Sequence, residues 1–146
     1  MWMTALLLNI VHLVYHQVTT NVDLFPFNNI RRYNWSERMA EVTLNGLLMG
    51  FPVIALSLND RRWITVAGTV LGFLVIGEFL TWWPFYFFGV PPRMRKWQEI
   101  YDRTHKHTVQ CLPAIGNHPR PNLEHCILFI LTIAAFGVTV WYRTSV

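Results

Sequence analysis

Three stretches of about twenty residues, 39–58, 63–83 and 123–142, each contain a single Asp, Glu, Lys or Arg, and each time it is a glutamate: Glu41, Glu78 and Glu124. As an α-helix, a stretch of that length rises about 30 Å, the thickness of a bilayer's hydrocarbon core. Charged residues supply only 14% of the chain and apolar ones 53%, against about 25% charged in an average soluble domain. The pattern predicts an all-α, polytopic integral membrane protein. Its 146 residues fit one transmembrane domain, 1–146.

A fourth segment, 2–18, has no formal charge but is interrupted by Asn9, His12 and His16. It lacks the basic start and A-x-A-like site of a cleaved signal peptide, so a retained helix is expected. The expected architecture is therefore an antiparallel bundle of four transmembrane helices, at about 2–18, 36–58, 63–83 and 122–142. Local signals agree with these limits. Asn34 and Glu37 form a capping-box pattern at the start of the second helix, Asn59-Asp60 a tight turn into the third, and Asn122 an N-cap for the fourth. Pro84 is expected to stop the third helix and Pro52 to kink the second. Gly46/Gly50 and Gly68/Gly72 have the small-xxx-small spacing that lets membrane helices approach closely. After Pro91-Pro92, a short interfacial helix at about 92–109 would place Met94, Trp97, Tyr101 and His105 on one side and point His107 elsewhere.

Lys and Arg resist translocation when they lie in short flanking connections. Connections 18–38 and 84–122 hold nine of them and the opposite side three, namely Arg61, Arg62 and Arg143. This predicts that both long connections are cytoplasmic and both termini outside. The same bias accounts for the net charge of +4, and there is no basic stripe with interleaved aromatics to suggest nucleic acid as a partner. The lipid bilayer and a lipophilic small molecule are the expected partners. Cys111 and Cys126 both fall on the cytoplasmic side, where two free thiols are expected. C-x-x-C, P-loop, G-x-G-x-x-G, H-E-x-x-H and G-x-S-x-G patterns are missing.

Polar residues within the segments gather at one membrane face. His12 and His16 lie in the inner part of the first helix, Glu41 and Asn45 in that of the second, Glu78 in that of the third, and Glu124-His125 at the start of the fourth. Asn9, His12 and His16 share one helix face, as do Glu41 and Asn45. Such faces must turn to the bundle interior or to a wet cavity. The reading is a pocket in which Glu78 and Glu41 are catalytic and His12, His16, His105, His125 and Glu124 are metal ligands. Asn45, Trp82, Trp83, Tyr86, Trp97 and Tyr101 would bind substrate, although the run 82–88 also fits an aromatic belt. Arginine pairing is the bland reading for Glu41 and Glu78, N-terminal capping for Glu124, a headgroup contact for His12 and His16, and a solvated loop position for His118.

Three function classes fit. The first is a metal-dependent enzyme, since His and carboxylate hold zinc or iron. The His12/His16 spacing is similar in layout to the histidine boxes of membrane di-iron hydroxylases and desaturases. Their HxxHH boxes are missing here, and six histidines are too few for that pattern, so the chain is not assigned to them. The second class is metal-free acid/base chemistry, such as isomerisation, with Trp82, Trp83 and Tyr86 facing a cationic intermediate. The third is a non-catalytic ligand-binding, transport or assembly subunit, for which a homo-oligomer would be needed to line a pathway. The first is the expected one, acting on a lipophilic substrate.

Overall fold

The computed structural model describes residues 1–145, which form five α-helices and no strand. Four are long: α1 (Trp2–Asn21), α2 (Trp35–Leu58), α3 (Arg61–Phe88) and α5 (Leu123–Thr144). The short α4 (Arg95–Thr104) follows a single 3₁₀ turn at Pro92–Met94. The interfacial helix expected over 92–109 is thus shorter, since the chain leaves helical geometry after His105 to fold back toward α5.

The long helices form a ring in which α1 and α3 each pack against α2 and α5. Cross-helix contacts fix the register. Gln17 Nε2 donates to the Val42 carbonyl and Trp2 Nε1 to that of Leu56, so α1 and α2 run oppositely. Tyr15, His12 and Asn9 meet Glu124, Thr132 and Thr139 in turn, which makes α1 and α5 antiparallel. Between α3 and α5, Gly72 approaches Phe136 and Gly68 approaches Val140. Gly46 is close to the Gln17 amide, but Gly50 has open space around it, so the second pair is used in full and the first by half.

The helix ends follow their capping chemistry. Asn34 N–H donates to the Glu37 carboxylate at 3.0 Å, the reciprocal half of a capping box. Asn59 sits at φ 52° in the left-handed region that asparagine tolerates, and the Asp60 side chain then accepts from the amides of Arg62 and Trp63. Pro84 does not stop α3. The helix gives up one backbone bond there and continues to Phe88, because Trp82 and Phe85 on this last stretch pack against Trp97 of α4. Gly89 ends it at φ 77°, in a conformation that costs glycine little.

Polarity is arranged inside out. The buried face of α1 consists of Ala5, Asn9, His12, His16, Thr19 and Thr20, whereas Leu7, Val11, Val14 and Val18 lie exposed. Leu44, Leu47 and Ile54 of α2, Phe73, Ile76 and Leu80 of α3, and Ile130 and Ile133 of α5 are exposed likewise. A water-surrounded bundle would reverse this pattern. Helices α2, α3 and α5 are each long and apolar enough to cross a membrane, and these three mark a membrane protein. Asn9, His12, His16 and Gln17 make α1 the least apolar of the four.

Cys111 and Cys126 are joined by a disulfide, which corrects the expectation of two free thiols. The chain after α4 runs back along itself, with Gln110 bridged to Asn122, and this brings the two sulfurs together at the head of α5.

Candidate metal centre

His105, Glu124 and His125 each offer a ligand atom, and these atoms lie within 4.8 Å of one another, the one such group of three or more among the described residues. Around zinc or iron bound at about 2.0–2.2 Å, tetrahedral donors stand about 3.5 Å apart, so small side-chain movements would close the set. The group joins two elements: His105 caps the C-terminal end of α4, and Glu124 and His125 occupy the first turn of α5.

Each histidine has one ring nitrogen held. The Tyr33 hydroxyl lies 2.9 Å from His105 Nε2, and Asn122 Oδ1 lies 2.6 Å from His125 Nδ1. Asn122 cannot be turned round, since its Nδ2 donates to Thr108 Oγ1 while its Oδ1 also accepts from the His125 backbone N–H. His125 therefore donates Nδ1–H and keeps Nε2 bare. Thr108 in turn donates to the His105 backbone carbonyl at 2.7 Å, so one short network ties the His125 ring to the end of α4, while Tyr33 holds the His105 ring. Orientation of this kind is what outer partners of metal-bound histidines supply. Burial pushes the His105 imidazole down to about 4, which keeps it in the neutral, ligating form. Tyr33 is raised above the usual phenol range, first by burial and then by the carboxylates of Glu41 and Glu124, so it remains protonated.

Trp82 is packed between these groups, with ring centroids 5.1 Å from His105, 4.5 Å from His125, 5.6 Å from Trp97 and 6.2 Å from Tyr101. Trp97, Tyr101 and His105 do share one side of α4, as their spacing implied, whereas Met94 belongs to the 3₁₀ turn before it and is exposed. Tyr86 and Trp83 lie outside this ring cluster, although Trp83 borders a small void with Glu78, Trp82 and His125. Tyr86 donates to the Pro113 carbonyl at 3.1 Å and pins the loop, while Trp83 stacks with Phe79 and Phe87. His118 is half-buried rather than solvated: its Nδ1 lies 3.0 Å from the Tyr86 carbonyl and its ring covers Gly89.

His12 and His16 stand outside the close group. His12 Nε2 and Glu78 Oε1 each lie 2.9 Å from the Thr132 hydroxyl, so one side chain bridges α1 and α3 from α5. His16 Nε2 lies 3.3 Å from Asn45 Nδ2. The other ring nitrogens, His12 Nδ1 and His16 Nδ1, are buried without a partner, as is Glu78 Oε2. Neither Glu41 nor Glu78 is in an ion pair among the described residues, so arginine pairing does not account for them. Both line a cavity of about 250 Å³ that also reaches Asn45, Trp82 and His125. Glu41 and Glu124 further border a void of about 10 Å³ beside Tyr33, the size of a single water.

Tyr33, Asn122 and Thr132 complete the site without having been read as part of it. Asn122 was recognisable only as a cap. Thr132 had one signal, its position seven residues beyond His125 with Thr139 seven further, which puts three polar residues on one face of an apolar helix. No family model, curated protein or solved structure matches this chain.

Proposed function

We propose that the chain crosses the membrane four times and is a metal-dependent enzyme acting on a lipophilic substrate. The carrying observation is the convergence of His105, Glu124 and His125 beside a cavity that His125 shares with Glu41 and Glu78. Two imidazoles and a carboxylate form a donor set suited to zinc or iron, with room for a water or substrate atom in a fourth position. In this reading His12 and His16 are not ligands. They lie on the buried face of α1, where Thr132 links His12 to Glu78.

The antiparallel ring supports four crossings, because α1 runs alongside its neighbours from Trp2 to Gln17 and its exposed side chains between Leu7 and Val18 are all apolar. The bundle covers its own polar faces, so this reading needs no second copy. The Lys and Arg bias supports placing the metal end in the cytoplasm.

Elemental analysis of protein purified into lipid nanodiscs tests the metal. Stoichiometric zinc or iron is expected in the wild type, and less than a tenth of it in a His105→Ala/His125→Ala variant. A wild type carrying no stoichiometric metal after reconstitution with zinc or iron refutes the reading. In that event the Thr132 bridge favours acid/base chemistry centred on Glu78, since it gives that carboxyl a hydroxyl-mediated path to His12.

A further inference from the structure

The cavity between α2 and α3 has a character separate from the metal group. Its wall contains two carboxylates, Glu41 and Glu78, and no lysine or arginine. No ion pair among the described residues neutralises either one. One oxygen of Glu78 accepts from Thr132, whereas the other is buried with no donor among the described residues. An unmatched acceptor of this kind costs stability unless a donor reaches it. The carboxylates do not converge with His125 as the metal group does, so the space fits an extended cation better than a bare ion.

Asn45, Thr81 and His125 are the other polar side chains of the wall, and Met49, Phe73, Leu74, Leu128 and Trp82 make the remainder apolar or aromatic. Phe73 is in the wall and is itself 70% exposed, so the cavity opens beside apolar surface. A ligand complementary to this site carries an N–H⁺ group for Glu41 and Glu78, accepts a hydrogen bond from Asn45, or leaves that amide on His16, and trails an apolar chain. The Trp82 ring adds an attractive surface for positive charge. We propose that this cavity binds a lipophilic amine in its protonated form, seated between Glu41 and Glu78.

The inference rests on the membrane reading but not on the metal: of the metal group only His125 borders the cavity, and the amine's charge is placed on Glu41 and Glu78, which are not in that group. Saturable binding of radiolabelled dodecylamine to protein in nanodiscs, above that of protein-free nanodiscs, is measured beside dodecan-1-ol, with EDTA present throughout. The amine is expected to bind saturably and the alcohol not to. Glu78→Gln and Glu41→Gln are each expected to weaken amine binding by about tenfold or more, the loss of one charge-assisted contact. Equal saturable binding of alcohol and amine, no saturable amine binding, or wild-type affinity in both glutamine variants would overturn the proposal. Should a variant not fold, the amine-to-alcohol comparison on the wild type decides alone. A protein that takes up no zinc or iron on reconstitution without EDTA, yet binds the amine, would sink the metal reading and leave this one standing.

Discussion

Thr132 has one hydroxyl proton and three polar neighbours: His12 Nε2, Glu78 Oε1 and the Leu128 carbonyl, each at 2.9 Å. It can donate to one acceptor at a time, so a neutral His12 that donates Nε2–H into the hydroxyl lets Thr132 donate onward to Glu78. Removing the hydroxyl at constant shape would strand two buried groups at once. Thr132→Val is therefore expected to destabilise the protein by about 1–3 kcal/mol, with Thr132→Ser close to wild type. Thermal unfolding in nanodiscs measures this, and a valine variant as stable as wild type would remove Thr132 from the network. The histidines and glutamates of the site were legible in the sequence because ionisable residues are rare in apolar segments. Their partners were not. Threonine, tyrosine and asparagine occur in membrane helices and caps for ordinary structural reasons, and only packing shows which of them meets a histidine.

At the scale of the element, the signals that were read correctly are those whose chemistry is local. The Asn34–Glu37 pairing, the Asn59 turn and the Asn122 cap depend on residues within a few positions. The end of α3 is not local: a proline inside a helix removes one hydrogen bond, and contacts between Phe85, Trp82 and α4 decide whether the helix survives it. α1 is the reverse case, since its composition understates its role. Asn9, His12, His16, Thr19 and Thr20 fall on its buried face, and the exposed side chains between Leu7 and Val18 are apolar, which fits the proposed crossing. Tags at the two chain ends are accordingly expected on the same side of the membrane. Protease protection in sealed vesicles checks this, and tags on opposite sides would leave α1 as a helix that does not cross.

For the molecule as a whole, two observations about sidedness oppose each other. Nine of twelve Lys and Arg residues lie in the connections beside the metal end, which favours the cytoplasm. The Cys111–Cys126 bond lies at that same end, and disulfides persist mainly in oxidising compartments. Charge bias governs insertion itself, whereas a cytoplasmic disulfide can open and close. Both cysteines are therefore expected to react with a membrane-permeant maleimide in intact cells and to pair once the protein is isolated without reductant. Full protection in cells, released only by a reductant, would place the metal end outside.

The inward polarity of α1 also orders events in time. Asn9, His12 and Tyr15 find their partners on α5, more than a hundred residues later in the chain. During synthesis these three side chains must wait for the last helix, whereas His16 and Gln17 already meet Asn45 and the Val42 carbonyl of α2. Until α5 arrives, a nascent chain carries a stripe of unmatched imidazole and amide groups facing lipid or a protective factor. A ribosome that stops before α5 would therefore release a protein in which α1 rests on α2 alone, with Asn9, His12 and Tyr15 left unmatched.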